Sequence, residues 1–357
     1  MYATLRLFFC ILPAFCWVLN SLEMLVGAWT LPISLLYGWI CIVAVGVGLI
    51  WWMKSQKIPI FILLVCNTLL LFEDFRIRTP DPQGIAILSW NIEGKADTKS
   101  PRQECVLEYL TNWDKEHPEG VMAFQEVRQF QKRVFSQALS RKCIWAPYHR
   151  EKQLWYSNGM MICVRDEWIV RRPHHRFFDQ HSSYGFLQTE LRNKRQEQTY
   201  NLLNVHLESL YSTARNMPQF PKQGNVNFYL KDKLKKAEFG TIFHWFNNNR
   251  KSHQEQLQTI SYILGILKDP TIITGDFNSS PHQWHHRNFR SQLQDAHRST
   301  GFGFGSTVLR FSFIRSRVDY LYASKHLFWS GPTRVHPDIQ CSDHLPFTSY
   351  FSLIKKD

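Results

Sequence analysis

The 357-residue chain has no internal repeat and no low-complexity tract, which excludes a repeat array and a compositionally biased tail. Its eight cysteines include no closely spaced pair of the kind that holds zinc, which argues against a cysteine-ligated metal. Their sparse spacing also argues against a disulfide framework. It leaves room for one isolated bridge among Cys105, Cys143, Cys163 and Cys341, and leaves the redox compartment open. Charge is scarce at the N-terminus: before Glu73 the only basic residues are Arg6, Lys54 and Lys57. The apolar runs there contain no cluster of charges, so nothing marks a transport path through them.

What the N-terminus does contain is three apolar runs, approximately Leu5 to Leu22, Leu31 to Met53 and Ile58 to Phe72. The middle one carries Trp39, Trp51 and Trp52 near its ends and approaches the ~20 residues a helix needs to cross a bilayer. No small-residue cleavage site follows the first run, which argues against a signal peptide. The sequence therefore predicts a transmembrane region over 1–73, with three helices, and a linker over 74–84 around Pro80-Asp81-Pro82. Lys54 and Lys57 place the second loop in the cytoplasm. With three spans, everything after Phe72 lies on the periplasmic or extracellular side, although Arg76 and Arg78 oppose that orientation.

Downstream the balance is basic, carrying almost all of the formal net charge of +13. Such a body concentrates anionic partners such as nucleic acid, phospholipid head groups or small phosphates. From Ile85 the pattern alternates between short apolar strands and amphipathic helices, as in a mixed α/β domain over 85–357. Strands are expected at Ile85 to Trp90, Val121 to Phe124, Met160 to Val164, Tyr200 to Val205, Thr271 to Thr274 and Val318 to Ala323. Helices are expected at Glu104 to Trp113, Phe130 to Ser140 and Gln254 to Leu267.

Polar residues recur at the ends of these strands. The series is Ser89-Trp90-Asn91-Ile92-Glu93-Gly94, Phe124-Gln125-Glu126-Val127, Asn204-Val205-His206-Leu207-Glu208-Ser209, Thr274-Gly275-Asp276-Phe277-Asn278, Arg317-Val318-Asp319-Tyr320 and Ser342-Asp343-His344-Leu345-Pro346. Each segment alone is weak, but their common order is specific. Together they resemble the motifs of the endonuclease/exonuclease/phosphatase superfamily, the deoxyribonuclease-like fold, from roughly Ile85 to the C-terminus. The resemblance implies a four-layer α/β sandwich with two central mixed β-sheets, here preceded by the transmembrane helices, and a metal-dependent phosphoester hydrolase. It makes Glu126 the main Mg²⁺ ligand, with Asn91 beside it as a ligand or phosphate contact and Asp343 as a metal-water ligand or second orienting acid; Mn²⁺ is the alternative ion. A hard cation prefers such oxygen donors.

Asp276 is the candidate to orient or deprotonate the attacking water, with Asn278 donating its amide to a phosphate oxygen from the same side of an extended end. His206 and His344 are candidates to stabilise the pentacovalent transition state, and Asp319 resembles the acid that orients the last histidine. Asn158 in Tyr156-Ser157-Asn158-Gly159 and Glu208 are candidate substrate contacts, with a turn-forming role for Asn158 and a capping role for Glu208 as alternatives. His285 and His286 are adjacent and make a poor helical metal pair with His282, which argues against a second metal site there.

The segment Leu210 to Ser252 interleaves basic residues (Lys231, Lys233, Lys235, Lys236) with aromatics (Phe228, Phe239, Trp245). It suits nucleobase stacking, an anionic lipid surface, or packing on its own domain. The expected function is a Mg²⁺-dependent phosphodiesterase or nuclease, with phospholipid, sphingomyelin or inositol-phosphate hydrolysis at the membrane as the competing substrate class. A non-catalytic tethered module is disfavoured because the whole polar set is present. No obligate protein partner is inferred.

Overall fold

The computed structural model describes residues 84–94, 100–148, 158–178, 184–195, 197–209, 239–267, 270–281, 283–311 and 314–353. The three predicted spans lie outside these residues. Among the described residues no helix is long and apolar enough to cross a membrane. The chain forms two compact units, one of 1–75, 208–255 and 279–288, the other of 76–207, 256–278 and 289–357.

The second unit holds two six-stranded sheets. The first has the order β13-β14-β1-β2-β4-β3, built from β1 (Ile85–Asn91), β2 (Val121–Arg128), β3 (Lys142–Pro147), β4 (Asn158–Val164), β13 (Leu327–Val335) and β14 (Phe347–Leu353). The second has the order β5-β6-β7-β8-β12-β9, from β5 (Trp168–Phe177), β6 (Gly185–Asn193), β7 (Thr199–His206), β8 (Thr271–Asp276), β9 (Leu293–Asp295) and β12 (Asp319–Ser324). Both sheets are mixed in the same way: β1 and β2 are parallel, β7 and β8 are parallel, and every other pair is antiparallel. A short ribbon, β10 (Val308–Phe311) with β11 (Ile314–Ser316), stands apart.

Strand alternation separates the core into layers. Ile85, Ile87, Val121 and Ile162 of the first sheet pack with Leu187, Leu202, Ile272 and Leu321 of the second, so these faces meet. The opposite face of the first sheet, with Leu88, Trp90, Met122 and Phe124, is covered by Val106, Leu110 and Trp113 of α1 (Pro101–Glu116) and Phe135 of α2 (Gln129–Ala138). Helix α1 starts as its sequence directs: Ser100 accepts the Gln103 N–H at 3.2 Å, and Pro101 fills the first turn. On the outer face of the second sheet, Leu203, Val205 and Ile273 meet Leu257, Ile260 and Ile263 near the end of α3 (Phe239–Ile266). The layers therefore run helix, sheet, sheet, helix.

Every strand and helix expected from the sequence is present, most with longer ends. The sequence pattern does not mark the remaining strands; β5, for one, carries Arg171, Arg172, His174 and Arg176 on an exposed edge and lacks the apolar alternation of a buried strand. The expectation of no more than one bridge is corrected: Cys105 pairs with Cys341 and Cys143 with Cys163. Spacing concealed both, since the first joins residues 236 positions apart and the second depends on the register that sets Cys143 of β3 opposite Cys163 of β4.

Candidate active site

The two parallel strand pairs deliver the polar residues at their C-terminal ends, where α/β sheets build sites. In the first sheet Asn91 lies opposite Gln125, and Glu126 follows. The register of β2 against β4 shifts between Phe124 and Val127, a bulge that turns Glu126 to a left-handed φ of 55°. Its N–H donates to the Tyr148 hydroxyl at 2.9 Å, and its carbonyl accepts from Gly94 N at 2.9 Å. A Cβ on Gly94 would lie 2.3 Å from Asn158 Oδ1 and 2.7 Å from the Glu126 carbonyl, so only glycine allows this approach. Asn158 is thereby brought to the Glu126 turn.

In the second sheet His206 lies opposite Asp276. Gly275 precedes it at φ 137°, and a Cβ there would stand 1.9 Å from the Val205 carbonyl. Behind both pairs the Gln125 amide donates to Asn204 Oδ1 at 2.7 Å, and Asn204 Nδ2 donates to the Phe124 and Met161 carbonyls at 2.8 and 3.1 Å. These buried amides bind one sheet to the other directly below the site.

Asp276 Oδ2 is the common point. Asn91 Nδ2 donates to it at 3.0 Å and to Glu126 Oε1 at 3.2 Å. His206 Nε2 stands 3.5 Å from Asp276 Oδ2 and 3.9 Å from Glu126 Oε1, and His344 Nε2 stands 3.7 Å from the same Asp276 oxygen. Antiparallel register places Asp319 beside Asp276, and Asp319 Oδ2 meets His344 Nδ1 at 2.9 Å. The His344 loop is tied down along its length. Ser342 Oγ donates to the Asn91 carbonyl at 2.8 Å, Trp90 Nε1 donates to the His344 carbonyl at 3.0 Å, and Leu345 N donates to the Thr307 carbonyl at 2.7 Å.

Burial and neighbouring charge set the protonation. Burial raises Asp276 first, and the Asp319 carboxylate adds to it; His344, the Asn278 N–H and the Asn91 amide oppose, leaving Asp276 at about 7. For His344 burial acts downward, but Asp319 and Asp276 outweigh it and lift the imidazole to about 10. Tyr148 is pushed well above its ordinary value, by burial and then by Glu126, so its phenol stays protonated.

The structure thus gathers Asn91, Glu126, His206, Asp276, Asp319 and His344 in one place. Asp343 is half-buried next to His344, whose charge it favours. Asn278 departs from the expected extended geometry: it has φ 48°, its backbone N–H closes a turn onto Asp276 Oδ1 at 2.8 Å, and its amide donates to the Leu207 carbonyl at 2.9 Å. The turn occupies Oδ1 and leaves Oδ2 toward the histidines. Glu208 falls in the other unit, where its carboxylate accepts from Ser252 Oγ and its carbonyl oxygen meets His253 Nε2. His282 and the side chain of His285 lie outside the described residues, while His286 Nε2 meets Ser279 Oγ at 2.8 Å. Tyr148, Ser342, Thr307, Gln125 and Asn204 were missed. Ser342, Gln125 and Asn204 lie inside the strand-end motifs, whereas no motif or spacing rule marks Thr307 or Tyr148.

Glu126 Oε1 and Asp276 Oδ2 converge on one amide nitrogen, and the Glu126 side chain keeps 28% of its surface open. An acid open to solvent, with a buried second acid beside it, fits a hard divalent cation. Asp276, Asp319 and His344 also have ligand atoms within 4.8 Å of one another. There the Asp319–His344 hydrogen bond already uses one atom of each, so that cluster suits proton placement better than metal capture.

The sequence profile of the Endonuclease/Exonuclease/phosphatase family matches residues 88–344. No curated protein matches the chain in sequence. Solved structures share its fold. An endonuclease/exonuclease/phosphatase of Bacteroides vulgatus has a TM-score of 0.56 at 13% identity, covering 76% of this chain and 99% of its own. A mannosyl-6-phosphatase of Bacteroides thetaiotaomicron has 0.56 at 14%, covering 76% and 100%. The human Nocturnin catalytic domain, with bound sulfate, has 0.51 at 17%, covering 78% and 97%.

Proposed function

The chain belongs to the endonuclease/exonuclease/phosphatase family, and from that premise we propose that it is a membrane-anchored phosphodiesterase that uses Mg²⁺, or Mn²⁺, to direct water onto phosphorus. The observation that carries the reading is the convergence of Asn91, His206 and His344 on one Asp276 oxygen, with Glu126 alongside.

Glu126, with Asn91 and Asp343, would hold the ion, which when bound supplies a Lewis acid for the phosphoryl oxygen. Asp276 takes the proton of the attacking water, a task suited to a carboxyl held at about 7. His344, kept charged by Asp319, donates from Nε2 to a non-bridging oxygen as negative charge develops. His206 donates from the other side of Asp276. Asn278 offers its second amide hydrogen, and Asn158 stands at the Glu126 turn as a further phosphate contact.

The three apolar runs over 1–73 anchor this domain, 74–84 links it, and 85–357 faces the periplasmic or extracellular side. Two disulfides support that placement, because such bonds persist mainly in oxidising compartments. The test is hydrolysis by purified protein with Mg²⁺ of single- and double-stranded DNA, RNA, sphingomyelin, phosphoinositides and a sugar-phosphate monoester. A diester is expected to turn over fastest, and metal-dependent turnover of nucleic acid rather than lipid assigns the nuclease reading. Failure of every phosphoester to react, with the ion present, rejects the proposal. A C-terminal reporter active only in the cytoplasm would reject the orientation.

A further inference from the structure

Tyr148 belongs to none of the motifs, yet it touches both halves of the site. It directly follows β3, is buried, and rests its ring against His206 and Tyr184, with centroids 5.2 and 6.4 Å away. Its hydroxyl accepts the Glu126 N–H at 2.9 Å and lies 2.6 Å from His206 Nδ1. A phenol has one hydrogen to give. Glu126 occupies the oxygen as a donor, and among the described residues Nδ1 is the acceptor in reach of the hydroxyl hydrogen.

We propose that Tyr148 is a positioning residue that fixes the His206 tautomer, holding the hydrogen on Nε2, and at the same time latches the left-handed turn of Glu126. The proposal rests on the hydrolase reading of the site but concerns a different observable. With Nδ1 committed as an acceptor, Nε2 carries the N–H that points toward Asp276 Oδ2 at 3.5 Å, where a phosphate oxygen would be met. Without the hydroxyl, Nδ1 loses this donor and the Glu126 N–H loses this acceptor. The two histidines then differ in kind. His344 is backed by a carboxylate, Asp319, and His206 by a neutral phenol, so the pair presents one charged and one uncharged donor across the same acid.

The test is Tyr148→Phe, which removes the oxygen and keeps the ring contacts. In full-length protein labelled with ¹⁵N at histidine, and with the His206 signals identified by their loss in His206→Asn, the parent is expected to show hydrogen on Nε2 and a bare Nδ1. In Tyr148→Phe the two nitrogens should average toward mixed tautomers. On a phosphodiester the variant should lose roughly 10- to 100-fold in kcat, the usual cost of an outer orienting partner, with KM within about threefold. Hydrogen on Nδ1 in the parent overturns the proposal, as does an unchanged tautomer or full kcat in the variant. The spectrum answers even where no substrate reacts. A parent with the Nε2 tautomer and no phosphoesterase activity would sink the hydrolase reading and leave this one standing.

Discussion

The two parallel strand pairs are built alike and finish differently. In each, two strands run side by side and release a polar residue from neighbouring ends, Asn91 with Gln125 and Glu126 in one sheet, His206 with Asp276 in the other. The first pair ends in a bulge that pushes Glu126 outward, leaving its carboxylate partly open to solvent. The second ends in a glycine that brings β8 against β7 so closely that Asp276 is 1% exposed. On the proposed reading the same acid function becomes two reagents. An open carboxylate is available to a cation, and a buried one has its proton affinity raised to where a general base works.

If that division of labour is right, substitutions in the two pairs should fail in different ways. The largest effect is expected for Asp276→Asn, which removes the base: kcat should fall by about 10²–10⁴-fold while Mg²⁺ affinity changes little. Glu126→Gln should invert the pattern, raising the Mg²⁺ needed for half-maximal rate by more than the ~10–100-fold that loss of an outer partner costs. Metal titrations of initial rate for the two variants check both, and matching profiles would dissolve the distinction.

The disulfides sharpen the comparison further, because only one touches the site. Cys341 precedes Ser342-Asp343-His344 and is tied to Cys105 on α1, whereas Cys143–Cys163 joins β3 to β4. Closing 236 residues against 20 predicts, from chain entropy alone, stabilisation of about 5 against about 3 kcal/mol. Urea midpoints of the double Cys→Ser variants should follow that order, and only the Cys105/Cys341 pair should also lower kcat. The smallest effect is a pH slope in the metal-free protein. His344 has a folded value of about 10 against 6.5 unfolded, so the stability it contributes is complete below about 6.5 and is lost as pH rises through 10. Melting temperature should decline across that window, and Asp319→Asn should flatten the decline.

Much of this was legible in the chain. Strands β1, β2, β4, β7, β8 and β12 announce themselves as apolar runs, and the strand-end motifs are local, so Asn91, Glu126, His206, Asp276, Asp319 and His344 could be named before any fold was known. Edge strands such as β5 lack that signal, since half of their surface is solvated. Tyr148 could not be found, because its partners Glu126 and His206 are 22 and 58 residues away and a tyrosine near a strand end is ordinarily a packing residue. The disulfides were hidden for the same reason: pairing depends on register and on a contact across 236 residues, neither of which spacing encodes. Asn278 was named for an extended end, and the turn onto Asp276 Oδ1 shows how a short polar side chain overrides alternation.

The central claim is that the open acid and the buried acid serve one reaction at one phosphorus, and a double-mutant cycle tests it most directly. Rates of Mg²⁺-dependent phosphodiester hydrolysis would be compared for the parent, Glu126→Gln, Asp276→Asn and the double variant. Groups acting as a unit are strongly non-additive, so the double variant should be about as impaired as the worse single one. Losses that simply multiply would mean that the two acids act independently, and would contradict the account.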